Sequence, residues 1–462
     1  MTNYDFRWYQ QRWDDEARAG MGEGLTALLI QSPTASGKSK TAGVWSMRAA
    51  QKGKRVWFLA HRRELIRQVS RDFGDMSIPH GIIGAGFSPN PREAVQVGSV
   101  QSVLRRIDKY PDPDLIFFDE CHHVPSATQS SIFRAFPKAY KIGWTATPSR
   151  LDGRGLGDYF QRLILGPPVR TLIEQGYLAA YRYYAPTQPD LTGVHTRAGD
   201  YATNELEPAM NQSRITGDAI AEYRRYADGK RALVFCVSIK HSQAVAAQFA
   251  AAGFSAKHID GTMPTVERDA AFRAFAAGTI RVLSQVDLAG EGIDIPSIEA
   301  VILLRPTQSL TVYLQAVGRA LRPHADKQFA TILDHAGCCF RHGLPDEDRE
   351  WTLEGAPKKK KKAEDSGPTV KQCQSCWAMA RVSARECPAC GAPFEIKARV
   401  VEHVDGELAE IDAAELRRRK RREEGKAQML EELRALGKAR GYKDGWAEIR
   451  WKARLRKMGA RA

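Results

Sequence analysis

Three groups of residues in this 462-residue chain could together carry out phosphate chemistry. The first is the run SPTASGKS, Ser32 to Ser39, directly after the apolar run Leu25 to Ile30. A turn between a strand and a helix aims backbone N–H groups at phosphate, and the helix dipole adds to the attraction. Gly37 allows close backbone approach, with Thr34 and Ser36 in the same loop. Lys38 would reach the β- and γ-phosphates, and Ser39 would ligate Mg²⁺. The second is LIFFDECH, Leu115 to His122, in which four apolar residues deliver Asp119 and Glu120 to the C-terminal end of a buried strand. Open α/β sheets bind ligands at that end. Asp119 would hold Mg²⁺ through water, and Glu120 would orient or deprotonate the attacking water. The third is QAVGRALR, Gln315 to Arg322. Arg319 and Arg322 lie three apart, so both can project from one helix face. An arginine aimed at a γ-phosphate stabilises the charge of phosphoryl transfer.

Each group alone has a plain reading: a chance loop match, an Asp-Glu pair at a strand end, two surface arginines. Their succession along one chain argues against all three.

A fourth group is metal chemistry. Cys373, Cys376, Cys387 and Cys390 form two CxxC pairs, whereas Cys121, Cys236, Cys338 and Cys339 are scattered or adjacent. In a cytosolic protein paired CxxC knuckles suit a closed tetrahedral Zn²⁺ site rather than disulfides. A redox dithiol is the competing reading. The module is too short for a core of its own, so metal would fold it. Gly391, after the second knuckle, permits the tight turn.

The elements that must position these residues follow from the apolar pattern. Short apolar or β-branched runs at Leu25–Ile30, Arg55–Ala60, Val95–Gly98, Leu115–Phe118 and Lys141–Trp144 predict buried strands. Helical stretches such as Arg62–Phe73 separate several of them. After the Pro/Gly break at Gly166–Pro168 a second set begins, at Ala232–Val237, Ala256–Ile259, Ile280–Ser284, Ala300–Leu304 and Phe329–Leu333. Alternating β and α elements predict an α/β fold of two tandem parallel-sheet domains, covered on both faces. The expected boundaries are 1–167 for an ATP-binding lobe, 168–208 for a connection and 209–350 for a second lobe. A Lys-rich linker at 351–370, the cysteine module at 371–395 and a basic helical tail at 396–462 follow.

Composition narrows the partners. Hydrophobic residues make up 43% and charged residues 27%, with no run of about 18 apolar residues that could span a membrane. The N-terminus carries no signal-peptide pattern, so a cytoplasmic protein is expected. Net charge is +15. From Glu415 to Ala462 there are 17 Lys/Arg against 7 Asp/Glu, and the other 414 residues carry 52 against 47. Concentrated positive charge at one end attracts a polyanion; a solvated tail is the alternative. Arg417 to Arg422 could grip phosphate, while Trp446 and Trp451 among lysines and arginines could stack on bases or pack as a helix face.

The three phosphate motifs, in this order, resemble superfamily 2 helicases of the DEAD/DEAH type, with Asp119 to His122 as a DECH variant. Further segments from about residue 4 to 340 agree. Phe6 to Gln10 resembles the adenine-recognising element, which implies that Gln10 bonds the base edge. His61 and Arg62 resemble motif Ia, and Ser99 and Gln101 a second DNA-contacting segment. Thr145 to Pro148 resembles motif III, implying that Thr145 and Thr147 couple hydrolysis to strand movement. Gly292 and Asp294, within Ala289 to Asp294, resemble motif V of the nucleotide site. Gln315 enters the catalytic set with Arg319 and Arg322. The phrases VGSVQSV, LRPT and LDHAG, with cysteines after the motor, are most similar to RadD-type DNA repair helicases and their phage and prophage relatives. The loop departs from the usual pattern, with Ser32 for the first Gly and Ala35 where another Gly is frequent.

The resemblance implies two RecA-like lobes, an ATP-dependent DNA helicase or translocase, and the cofactors ATP, Mg²⁺ and Zn²⁺. The implied partner is single-stranded or branched DNA, bound largely through phosphates. One chain would suffice for hydrolysis, because both halves of the site are in cis; a protein partner could bind the zinc module or tail. An RNA helicase shares the fold and ATP site. A zinc-bearing DNA-binding scaffold with a weak or partner-dependent ATPase is the rival from another class.

Overall fold

In a computed structural model the described residues are 5–150, 153–185, 194–197, 200–202, 205–206, 213–286, 288, 295–355, 369–394, 423–424, 427, 429–440 and 445–459. The first sheet is built from β1 (Ala27–Gln31), β2 (Val56–Ala60), β3 (Gly81–Ile83), β4 (Val95–Ser99), β5 (Leu115–Asp119), β6 (Tyr140–Thr145) and β7 (Arg162–Ile164). Their order is β3-β4-β2-β5-β6-β1-β7, and every pair is parallel. β1 and β2 are buried along their whole length, because helices cover both faces of a parallel sheet. The helices Trp8–Gly22, Lys38–Gln51 and Arg63–Asp75 contribute Trp13, Trp45 and Phe73 to the core.

The segment expected as a connection also supplies structure. It holds the helix Val169–Glu174 and β8 (Tyr181–Tyr184), followed by a small ribbon of β9 (Thr196–Arg197) and β10 (Asp200–Tyr201). β8 joins the second sheet beside β15 (Ala330–Asp334). The other strands there are β11 (Ala232–Phe235), β12 (Ala256–Ile259), β13 (Val282–Gln285) and β14 (Ala300–Leu303). The order is β12-β13-β11-β14-β15-β8, again parallel throughout. The second lobe therefore starts at the β8 strand rather than after residue 208.

The cysteine module holds a two-stranded ribbon, β16 (Val370–Gln372) and β17 (Met379–Arg381). It packs on the edge of the second sheet, where Ala378 bridges to Tyr184 and Cys373, Ala378 and Cys387 join the same buried cluster as Tyr184, Tyr223 and Val234. The module thus borrows a core from the lobe.

Residues 396–462 form a separate compact unit. Its helices Leu430–Ala439 and Trp446–Gly459 pack together, with Gly437 against the Trp446 ring and Leu433, Trp446, Ala447 and Trp451 in one apolar cluster. The two tryptophans are half-buried against this hairpin. Arg417 to Arg422, Tyr442 and Lys443 lie outside the described residues. No described helix is long and apolar enough to cross a membrane.

Candidate nucleotide and nucleic-acid sites

Apart from Phe6 to Gln10, which opens the helix Trp8–Gly22, the motifs of the first lobe sit at the C-terminal ends of strands. In sheet order Ser99 ends β4, Ala60 ends β2 just before His61 and Arg62, Asp119 ends β5, Thr145 ends β6, and the phosphate loop leaves β1. Parallel pairing makes these ends one edge, so residues over 100 positions apart converge there.

The loop from β1 to the helix Lys38–Gln51 is held by its own hydroxyls. Ser32 Oγ and Ser36 Oγ lie 2.6 Å apart. Tyr9 Oη donates to the Ser36 carbonyl at 3.0 Å. Gln10 is fully buried: its amide nitrogen donates to the carbonyls of Ser36 and Gly37 at 3.3 and 3.4 Å, and its amide oxygen accepts from the Arg7 N–H at 3.0 Å. In this structure the Gln10 amide braces the phosphate loop. Ala35 and Gly37 both have positive φ, 67° and 86°. Gly37 suits that region, whereas a β-carbon at Ala35 costs about 1 kcal/mol. Ala35→Gly relieves that strain at some cost in unfolded-state entropy, so it is expected to stabilise the fold by roughly 0.5 kcal/mol, seen as a slightly higher melting temperature in calorimetry, with ATP hydrolysis retained in steady-state kinetics.

Lys38 bridges the two carboxylates, Nζ lying 2.6 Å from Asp119 Oδ1 and 2.7 Å from Glu120 Oε1. Burial works against the ammonium, but the two carboxylates outweigh it and hold Lys38 above the ordinary lysine range. Asp119 is buried and Glu120 nearly so. A cation already sits between these oxygens, and with the Ser39 hydroxyl next along the helix they form a hard-oxygen donor set that suits Mg²⁺. Glu120 has φ 47° and ψ 54°, a left-handed conformation that costs energy in a residue with a β-carbon. Such strain persists where the surroundings fix a side chain for a task.

From Glu120 a polar chain runs to the second lobe. Glu120 Oε2 lies 3.5 Å from His122 Nδ1, which is 3.1 Å from Thr145 Oγ1. Thr145 Oγ1 donates to the Thr147 carbonyl at 3.0 Å and accepts from the Thr147 N–H at 3.2 Å. Thr147 Oγ1 lies 2.7 Å from Thr311 Oγ1. Thr311 begins the helix Leu310–Gly318, which carries Gln315 and delivers Arg319 at its end. Both are buried, and Gly318 lies on the phosphate loop: a β-carbon there would come within 2.8 Å of Thr34 Cβ. The expected coupling residues thus meet a partner that sequence reasoning missed, Thr311. Thr311→Val, which removes one hydroxyl of about 1 kcal/mol, is expected to lower nucleic-acid-stimulated kcat about fivefold with the KM for ATP unchanged. Steady-state kinetics would check it.

The segments expected to touch nucleic acid lie together, because β2 and β4 pair with Ala60 opposite Ser99. Arg62 Nε donates to His61 Nε2 at 3.4 Å. The Ser99 hydroxyl caps the helix Val100–Leu104 by accepting from the Ser102 N–H at 3.2 Å, and Gln101 is exposed. Nearby, Arg268 pairs with Glu64 at 2.5 Å and Arg67 with Asp269 at 3.0 Å, tying the lobes together. Gly292 and Asp294 lie outside the described residues.

In the cysteine module the four Sγ atoms lie within 4.8 Å of one another, with Cys373–Cys390 at 3.7 Å and Cys376–Cys387 at 3.6 Å. A tetrahedron with Zn–S bonds of about 2.3 Å has edges of about 3.8 Å. The two knuckles repeat one geometry: Trp377 N–H donates to the Cys373 carbonyl at 2.9 Å, and Gly391 N–H to the Cys387 carbonyl at 2.8 Å. Burial opposes it, but backbone N–H groups of Cys376 and Ser375 and the neighbouring thiols bring the Cys373 thiol down to about 6. The donor set fits Zn²⁺.

Comparison with known proteins agrees with this geometry. Residues 3–150 match the family model for the type III restriction enzyme res subunit, and residues 216–324 that for the helicase conserved C-terminal domain. Over 371 residues the chain is 36% identical to a "51.5 kDa protein" of a Lactococcus phage (isolate 7-9), covering 80% of this chain and 78% of the relative. The chain belongs to the superfamily 2 helicases. A Saccharomyces cerevisiae protein named as an ATP-dependent helicase, IRC3, is 29% identical over 60% of this helicase and 43% of its own length. Among solved structures, a fragment of an HsdR subunit of a type I restriction enzyme from Vibrio vulnificus YJ016 superposes with a TM-score of 0.59 at 22% identity, over 76% of this chain and 67% of that one. The type ISP restriction-modification enzyme LlaBIII, solved bound to DNA, gives 0.53 at 20% identity, over 71% of this chain and 27% of that one. These likenesses show the fold. The helicase spans less than half the length of the yeast and type ISP proteins.

Proposed function

We propose that this helicase is an ATP-driven motor that moves on DNA. The observation that carries the reading is the row of polar groups from His122 through Thr145 and Thr147 to Thr311, since it leads from beside the Glu120 carboxylate to the lobe that carries Arg319. In this reading Lys38 leaves its carboxylates for the β- and γ-phosphates. Ser39 and Asp119 hold Mg²⁺, which supplies charge neutralisation for phosphoryl transfer. Thr34, Ser36 and Gly37 line the phosphate loop, with Gln10 bracing it. Glu120 orients the water, and Arg319 and Arg322 meet the developing charge from the second lobe. Gln315 is buried on the helix Leu310–Gly318; Arg319 caps that helix and Arg322 lies in the turn beyond it, so the two arginines do not share one helix face. Hydrolysis then depends on lobe closure.

Two observations support a nucleic-acid track across the C-terminal edge. His61, Arg62, Ser99 and Gln101 adjoin there, and backbone-directed contacts suit sequence-independent movement. DNA is the preferred track: two archaeal relatives, 27% and 26% identical, are named as DNA 3'-5' helicases of the Rad25 type, of which the chain covers 51% and 57%. The zinc module and the basic tail are candidate partner surfaces, one chain suffices for hydrolysis, and the setting is the cytoplasm of a bacterium or phage-infected host. Displacement of a third strand from a DNA triplex tests movement directly. ATP-dependent displacement from DNA supports the motor; displacement only from an RNA track would make it an RNA helicase.

A further inference from the structure

Three histidine rings stand in a row at the edge where the motifs meet. His61 follows β2, and His122 and His123 follow β5; the strands are neighbours, so pairing sets the rings side by side. The centroids of His61 and His123 are 4.9 Å apart with the planes at 59°, and those of His122 and His123 are 4.1 Å apart at 43°. At one end of the row, the buried His122 reaches Glu120 and Thr145. At the other end, His61 accepts a hydrogen bond from Arg62. His123, half-buried between them, belongs to none of the motifs assigned above.

We infer that His123 is a positioning residue that joins the nucleic-acid segment to the catalytic carboxylate. The inference rests on the reading of His61 and Arg62 as nucleic-acid contacts. Rings in contact, one buried and two half-buried, resist overlap, so a shift of one moves the next. A strand that draws on Arg62 and His61 moves the His123 ring, and His123 moves His122. His122 in turn lies 3.5 Å from the Glu120 carboxylate, whose strained backbone makes it dependent on its neighbours. The row thus reports strand occupancy to the water-activating group, while the threonine chain reports lobe closure to the same group. His122 is where the two paths meet. The device works by ring contact, and no proton needs to move.

Two full-length variants, His123→Ala and His123→Phe, test this. ATP hydrolysis is measured with and without oligothymidine, and DNA affinity is measured by fluorescence anisotropy. His123→Ala is expected to keep its DNA affinity, its KM for ATP and its hydrolysis rate without DNA, and to lose about tenfold of the DNA-stimulated kcat, the scale of a misplaced reacting group. His123→Phe keeps a ring and is expected to keep most of the stimulation. Full stimulation of His123→Ala, equal impairment of both variants, or a loss that only tracks DNA affinity would overturn the inference. If His123→Ala does not fold, His123→Leu, which fills the space without a flat ring, takes its place with the same expected loss. A wild-type chain that no nucleic acid stimulates would sink the motor reading as well, whereas normal stimulation of His123→Ala sinks only the relay.

Discussion

Glu120→Gln should bind ATP as tightly as the wild-type chain and hydrolyse it about a hundredfold to a thousandfold more slowly, the range for loss of a general base. The carboxylate is nearly buried, lies 2.7 Å from the Lys38 ammonium and 3.5 Å from His122, and takes its direction from a left-handed backbone. Glutamine keeps the size, so the phosphate loop and the Asp119 contact with Lys38 survive. What is lost is the negative charge that orients and deprotonates water. Nucleotide affinity from fluorescence titration and turnover from steady-state kinetics separate the two effects. A variant that hydrolyses within a few-fold of wild type would remove Glu120 from the mechanism.

We propose that the four thiols hold Zn²⁺, and stripping it should then damage the second lobe as well as the module. Val370 and Met379 are buried in the core that the module shares with that lobe, and Cys373 and Cys387 join a cluster with Tyr184 and Tyr223. Arg381 pairs with Asp346 at 2.9 Å, and Tyr181 of β8 donates to the same carboxylate at 2.5 Å. If the knuckles open, uncovering Val370 and Met379 alone costs about 3–6 kcal/mol. For a lobe of this size that lowers its melting temperature on the order of 10 °C. Cys387→Ser is expected to lose its zinc, measured by elemental mass spectrometry, and to melt early by calorimetry. One zinc per chain retained in the variant, with unchanged melting, would show that the four thiols do not hold the metal as a structural site.

The core strands that carry the motifs were legible in the sequence because each is a buried apolar run, such as Leu115 to Phe118, bounded by residues that do chemistry. Of the strands in the two large sheets, three escaped. Gly81–Ile83 and Arg162–Ile164 have only three residues, too short for a period. Tyr181–Tyr184 carries an arginine among tyrosines and owes its place to pairing with β15, which no local pattern announces. The same distinction holds in the site. Lys38, Asp119, Glu120, Arg319 and the four cysteines stand in motifs whose spacing states their chemistry. Thr311 and His123 matter through neighbours 164 positions away in one case and a strand away in the other, and only folding brings those neighbours near. Gln10, expected to bond the base edge, has its buried amide committed to carbonyls of the phosphate loop, a geometry that composition cannot reveal. Trp446 and Trp451 read equally well as base platforms or as a packed face, and in the hairpin both are half-buried against its apolar cluster.

The central claim is that this chain couples ATP hydrolysis to occupancy of a nucleic-acid track. The most direct measurement is steady-state ATP hydrolysis with no nucleic acid, single-stranded DNA, duplex DNA, forked DNA and RNA, with Glu120→Gln beside the wild type. Strong stimulation by DNA, weaker stimulation by RNA and loss of both in the variant are the predicted result. ATP bound but hydrolysed at the same low rate on every nucleic acid would contradict the motor and leave a zinc-bearing, DNA-binding scaffold.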